Sequence, residues 1–182
     1  MLRGIIIVAI GVVGLGVALF VVAQAVPGLI PGGPEPSSYG DWAVRCVTRP
    51  GIVPCDIVQS LNDTKAKKTI MQISYSYAPD KDVYAAQITL PLGFLLQAGV
   101  LIRLDGKTDI TNYQFTRCEP EGCFSEKLVK AGELTPMRNA QQGVVVVMGK
   151  DGKAVGFPFS LKGFGEALDS MANRNRRAAA NN

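Results

Sequence analysis

Four cysteines are the residues of this 182-residue chain with the most definite chemistry, and the chain contains no histidine. The lack of histidine removes the commonest general base, the Ser-His-Asp arrangement and most catalytic metal sites. In an oxidising compartment an even number of cysteines favours disulfides, and four cysteines allow three connectivities. Pairing Cys46 with Cys55 and Cys118 with Cys123 is favoured because each pair encloses turn-forming residues. A four-thiolate zinc site is the alternative, although the spacing lacks the usual two-residue separation.

Carboxylates are the other residues that could perform chemistry. Glu119, Glu121 and Glu126 surround the second cysteine pair, and Asp80 and Asp82 share a turn. A calcium site or a pair of glycosidase carboxylates requires side chains that converge in space. Carboxylates that are merely close in sequence, in exposed loops, usually serve solubility. We therefore expect no enzymatic activity, no cofactor, no metal and no small-molecule substrate.

An apolar run from Gly4 to Val26, with Gln24 as its only polar residue, determines where the rest of the chain works. At a rise of about 1.5 Å per residue, this run forms a helix of roughly 34 Å, enough for a bilayer core of about 30 Å. Arg3 precedes the run, and no Lys or Arg follows it before Arg45. We expect a single-pass inner-membrane protein with a cytoplasmic N-terminus and a periplasmic domain. A signal peptide cleaved after Ala25 remains the alternative.

Small residues within this run recur along one side of the predicted helix. Gly4, Gly11, Ala18 and Ala25 are spaced by seven residues, and Gly14 lies four residues before Ala18. Small residues allow neighbouring transmembrane helices to approach closely, so that packing drives their association. The stripe predicts a helix that packs against an integral-membrane partner. An ordinary Ala- and Gly-rich export signal would show the same residues.

Five parts follow from the composition of the chain. Residues 1–3 are a cytoplasmic stub, 4–26 the anchor, 27–38 a Pro- and Gly-rich tether, 39–173 a β-domain and 174–182 a flexible tail. The net charge is +4, and the basic residues are not interleaved with aromatic residues. Nucleic acid is therefore excluded as a partner.

The segment after the tether shows short apolar runs with period-two alternation and regular turn signals. This pattern predicts a mainly β domain, an antiparallel sandwich or barrel-like fold of about eight strands. Trp42 is interpreted as a core anchor. Pro91 to Leu96 is predicted to cross between sheets, and Ile110 to Cys118 to form one strand. Phe164 to Ala172 is predicted as a short closing helix.

Several motifs in this domain resemble the invasion-associated locus B family of exported bacterial proteins. In chain order the motifs are Tyr39-Gly40-Asp41-Trp42, Arg45-Cys46, Pro54-Cys55, Gln59, Leu90-Pro91-Leu92-Gly93, Ala98-Gly99-Val100, Asp105-Gly106, Cys118, Gly122-Cys123, Phe159-Ser160-Leu161 and Gly163-Phe164. They cover nearly the whole exported domain, in the family's order and spacing. The resemblance implies a periplasmic or surface-exposed, mainly β domain with two disulfides and no known catalytic activity.

The long apolar run departs from the short cleaved signal that is usual in this family. We expect a membrane-anchored periplasmic domain that acts through protein–protein contact as an accessory or stabilising subunit of an inner-membrane complex. The alternative is a secreted or surface-exposed factor that contacts host cells or envelope components, as the family name suggests.

Overall fold

The computed structural model of the protein describes residues 37–47 and 53–181. The predicted anchor, its small-residue stripe and residues 27–36 of the predicted tether lie outside these ranges. Within the described ranges, no helix has both the length and the apolar character needed to cross a bilayer. Ser37 and Ser38, which we assigned to the tether, belong to the first strand of the sheet.

The described residues form eleven strands and two α-helices, with short 3-10 turns at Leu96–Ala98 and Ala131–Leu134. The strands are β1 (Ser37–Tyr39), β2 (Trp42–Cys46), β3 (Cys55–Asp63), β4 (Lys68–Ala78), β5 (Val83–Leu90), β6 (Val100–Leu104), β7 (Thr108–Tyr113), β8 (Phe115–Glu119), β9 (Gly122–Val129), β10 (Gln142–Met148) and β11 (Ala154–Ser160). The helices are α1 (Thr135–Asn139) and α2 (Phe164–Ala180).

All strand pairs are antiparallel and belong to two sheets. One sheet has seven strands in the order β1-β2-β3-β4-β5-β9-β8, and the other has four in the order β11-β10-β6-β7. Because the strands pair antiparallel in two sheets, the prediction of a mainly β antiparallel fold is confirmed. Both sheets are open, so the barrel-like alternative is wrong. The loop from Pro91 to Leu96 passes from one sheet to the other, as its broken alternation predicted.

One apolar core is shared by both sheets and α2. Alternate residues of β4 and β5 are buried, as expected for strands with one covered face. Trp42 is fully buried, and its ring lies 5.0 Å from that of Phe164 and 6.2 Å from that of Tyr75. Its indole N–H donates to the backbone oxygen of Ser160 at 2.9 Å. The interpretation of Trp42 as a core anchor is therefore confirmed.

The prediction of one strand from Ile110 to Cys118 was wrong. The segment is divided at Gln114 into β7, which pairs with β6, and β8, which pairs with β9 in the other sheet. Asn112 adopts a left-handed backbone with φ of 69°, which interrupts the extended conformation just before the division. Because alternation continues on both sides of the break, the apolar pattern alone contains no sign of the change of sheet.

The helix α2 extends eight residues beyond its predicted end at Ala172. The prediction of a flexible tail at 174–182 was therefore wrong for residues 174–180, which are helical. The start of α2 lies against the turn between β1 and β2, where Asp41 N–H donates to Lys162 O at 3.1 Å. Gly40 and Gly163 both have positive φ at this contact, and a Cβ on either would collide with the opposing backbone. These two glycines therefore fix where α2 begins on the sheet.

Candidate interaction surfaces

Both disulfides join residues that lie directly opposite each other on neighbouring strands. Cys46 of β2 is bonded to Cys55 of β3, and Cys118 of β8 is bonded to Cys123 of β9. This is the local pairing that the turn formers favoured. Because all four sulfurs are used in disulfides, the zinc alternative is wrong. The cysteines thus serve to hold two hairpins closed.

A buried asparagine on α2 closes the sheet next to the first disulfide. Asn175 is 1% exposed, and its Oδ1 accepts a hydrogen bond from the N–H of Cys55 at 3.0 Å. Its Nδ2 donates to the backbone oxygens of Cys55 at 3.0 Å and Tyr77 at 2.9 Å. The amide therefore supplies hydrogen-bond partners for the backbone where β3 begins and β4 ends. We assigned Asn175 to the tail because the residues after Ala172 are polar and small, and the sequence contains no signal of its burial.

Two of the three glutamates around the second disulfide, Glu119 and Glu126, form an exposed ion-pair network with Arg117. Arg117 donates to Glu119 at 2.8 Å, and its guanidinium also pairs with Glu126 at 2.5 Å. The hydrogen bond from Arg117 is the main cause that lowers the pKa of Glu126, and Thr116 adds a second one. Glu121 lies in the turn between β8 and β9, away from this pair. The three glutamates are thus held as surface charges and do not converge on a shared site.

The two aspartates of the turn between β4 and β5 are not a site either. Asp82 accepts a hydrogen bond from the hydroxyl of Tyr77 at 2.6 Å, and Asp80 lies exposed in the same turn. Over the part of the chain that the structure describes, no three Cys, Asp or Glu side chains are arranged to hold a metal ion.

The side of the seven-stranded sheet that faces away from the core carries no charge at its centre. We call this surface the outer face, formed by Val58, Ser60, Gln72, Ser74, Ser76, Ala85, Gln87 and Thr89. In its middle row Ser74 is opposite Gln87 on one side and Val58 on the other, and Val58 is only 7% exposed. Two of its amides bond within the face, Gln72 to Ser60 and Gln87 to Thr89, each at 3.2 Å.

Ion pairs border the outer face on both sides. Arg45 of β2 pairs with Asp56 of β3, which lies directly opposite Ser76. Arg117 of β8 pairs with Glu126 of β9, which lies directly opposite Gln87. Leu128 of β9 adds a large apolar side chain that is 63% exposed. The absence of charge at its centre is one feature that this face shares with the cores of protein–protein interfaces.

A second surface lies at the end of the domain away from the first disulfide. The loop from Pro91 to Leu96 presents Leu92, Leu95 and Leu96, which are 56%, 39% and 41% exposed. The turn between β3 and β4 flanks this loop, and Lys68 and Leu92 line the same groove of ≈ 530 Å³. The turn between β10 and β11 borders its other side. We call these three elements together the leucine end.

The fold and these surfaces define a class: a two-sheet antiparallel β domain with a packed C-terminal helix, two hairpin disulfides and a sheet face with an uncharged centre. A model of the invasion associated locus B (IalB) protein family matches residues 42–172. The chain therefore belongs to this family, as its motifs indicated.

Relatives and one solved structure agree with this assignment. The chain is 26% identical over 145 residues to the invasion protein B homologs of Brucella abortus strain 2308 and biovar 1 strain 9-941. Each match covers 78% of this chain and 83% of the relative. The crystal structure of invasion associated protein B from Bartonella henselae superposes with a TM-score of 0.68 at 19% identity, over 78% of this chain and 97% of that one. At that identity the superposition supports the fold alone.

Proposed function

We propose that this chain is a non-catalytic domain, held on the periplasmic side of the inner membrane by its N-terminal helix. It serves there as an accessory or stabilising subunit by binding an integral membrane protein. The observation that carries the proposal is the uncharged centre of the outer face. The apolar run at 4–26 and its stripe of small residues support the membrane location of the partner.

The outer face can be covered by a partner at little electrostatic cost. Its backbone N–H and C=O groups are already paired within the sheet. Its side chains are hydroxyl, amide and small apolar groups, so no charge in the centre loses its hydration. Leu128 at the border offers apolar area that becomes buried. A charged sheet face would instead need a matching partner charge at every position.

Purification of the full chain from its own membranes in mild detergent tests the proposal. We expect one integral membrane protein in stoichiometric amount. Ser74→Arg places an unpaired charge in the middle of the outer face and should lower the yield of this protein at least about tenfold. Ala179→Arg, at an exposed position of α2, is the matched control and should retain it. Isolation of the unmodified chain alone would contradict the proposal.

A secreted or surface-exposed factor is the second candidate function. It is supported by family membership, by the names of the Brucella relatives and by the small-x-small sequence ending at Ala25. The intact mass of the mature protein separates the two candidates. A chain that begins at Val26 and is found in the soluble fraction favours the secreted factor, and an uncleaved chain in the membrane favours the accessory subunit.

A further inference from the structure

The exposed leucines at the leucine end sit on a loop that the rest of the domain holds in place. Leu95 N–H donates to the backbone oxygen of Met148 at 2.8 Å, and Phe94 forms a bridge with Gly149. The ring of Phe94 packs edge-on against Phe157 with 5.8 Å between centroids. The leucines are therefore presented to the surroundings by a fixed loop, and folding leaves them uncovered in this domain.

Lysines border this loop on both sides. The β3–β4 turn contributes Lys65, Lys67 and Lys68, and the β10–β11 turn contributes Lys150 and Lys153, all exposed. The acidic groups of these two turns are Asp63, which accepts from the N–H groups of Lys65 and Ala66, and Asp151, which pairs with Lys153. Glu121 of the neighbouring β8–β9 turn lines the same groove as Leu92. The lysines outnumber these acids, so the border of the loop is positive.

We propose that the leucine end binds the surface of a bilayer that contains anionic lipids. Leucine side chains would enter the boundary between headgroups and acyl chains, and the lysines would lie along the phosphates. This inference goes beyond the proposed function, because it assigns a lipid-facing surface at the end of the domain. That surface adjoins the outer face, since Gln72 and Thr89 line the same groove as Leu92.

The residue types favour lipid over a protein partner at this end. Lysine is depleted at protein–protein interfaces, and five lysines surround this loop. The leucine end instead combines protruding leucines with a lysine border, the combination found on peripheral membrane surfaces. The outer face, with its uncharged centre, has the opposite composition.

Tryptophan quenching in the full-length chain tests this inference. Leu95→Trp reports on the loop, and Val47→Trp, 51% exposed beside the first disulfide at the other end, is the matched control. Both variants retain the same N-terminal segment and the same buried Trp42. The segment and Trp42 therefore do not contribute to the difference in quenching between the two variants. The chains are placed in bilayers of phosphatidylcholine with or without phosphatidylglycerol, and the lipid carries bromine on its acyl chains.

We expect brominated anionic bilayers to lower the Leu95→Trp emission about twofold, for a residue about 5–10 Å below the headgroup boundary. Emission from Val47→Trp should not change, and high salt or glutamine at the five lysines should abolish the quenching. The proposal is overturned if Leu95→Trp is not quenched, or if both variants are quenched equally. A third result would also overturn the proposal. The emission of the tryptophan at position 95 would shift to the blue only when a membrane protein is added, without quenching by the lipid, which would show that the loop binds a protein.

Discussion

The two disulfide-bonded hairpins have the same chemistry and very different surroundings. The bond between Cys46 and Cys55 lies under α2, where Asn175 binds the backbone of Cys55. The bond between Cys118 and Cys123 joins the last two strands of the sheet, with Cys118 exposed and an ion-pair network beside it. The sequence separations are 9 and 5 residues.

The first hairpin is therefore part of the core assembly, and the second is a local closure of the sheet edge. Loop entropy alone separates the two bonds by only about 0.5 kcal/mol, because it depends on the logarithm of loop length. A larger difference in stability must therefore come from α2 and its contacts with β2, β3 and β4.

Removal of the first disulfide should have the largest effect. Replacing Cys46 and Cys55 together by alanine should lower the free energy of unfolding by about 3–5 kcal/mol, since α2 packs on the strands that this bond aligns. The corresponding replacement of Cys118 and Cys123 should cost about 2 kcal/mol. Urea unfolding monitored by the fluorescence of Trp42 measures both. Equal losses would show that α2 does not depend on the first hairpin.

Loss of the buried amide should have the next largest effect. Asn175→Ala leaves the N–H of Cys55 and the backbone oxygens of Cys55 and Tyr77 without partners, which should cost about 2–3 kcal/mol. Asn173→Ala, at an exposed position of the same helix, is the control and should change stability by less than about 0.5 kcal/mol. Thermal unfolding of the two variants compares them directly. Similar melting temperatures for both would contradict the role of Asn175.

The ion pair beside the second disulfide should contribute least. In the folded protein Arg117 lowers the pKa of Glu126 below its ordinary value of 4.5. The contribution of this ion pair to the free energy of unfolding is therefore present above that value and is lost as the pH falls through the lowered pKa. The pair is exposed, so Glu126→Gln should cost at most about 1 kcal/mol at neutral pH. The difference in free energy of unfolding between Glu126→Gln and the unmodified protein should vanish in acid. Urea unfolding between about pH 3 and 7 measures this difference. A difference that persists in acid would point to lost packing.

Local patterns in the sequence predict most of this fold. Alternation predicted the antiparallel β domain, and the turn formers favoured the disulfide pairing that the structure has. The sequence could not predict that β7 and β8 belong to different sheets, because alternation continues through Gln114. The sheet that each strand joins depends on partner strands distant in sequence. Asn175 was missed for a related reason, since its burial depends on the backbone of β3 and β4.

The candidate surfaces were only partly visible in the sequence. Gln72, Ser74 and Ser76 alternate with apolar residues in β4, so the polarity of one sheet face could be predicted. The uncharged centre of this face could be recognised only once the pairing of β3, β4 and β5 was known. The leucines of the crossing loop were recognised as a break in alternation, but their exposure depends on how Phe94 is held by the second sheet.

Site-specific photo-crosslinking in the living cell tests the central claim, that the outer face is where this domain meets its partner. A photoreactive side chain at position 74 or 87, opposite each other in β4 and β5, should give one adduct of a single membrane protein. The same group at position 179 of α2 should give none. Adducts absent from 74 and 87, or equally abundant from 179, would contradict the account.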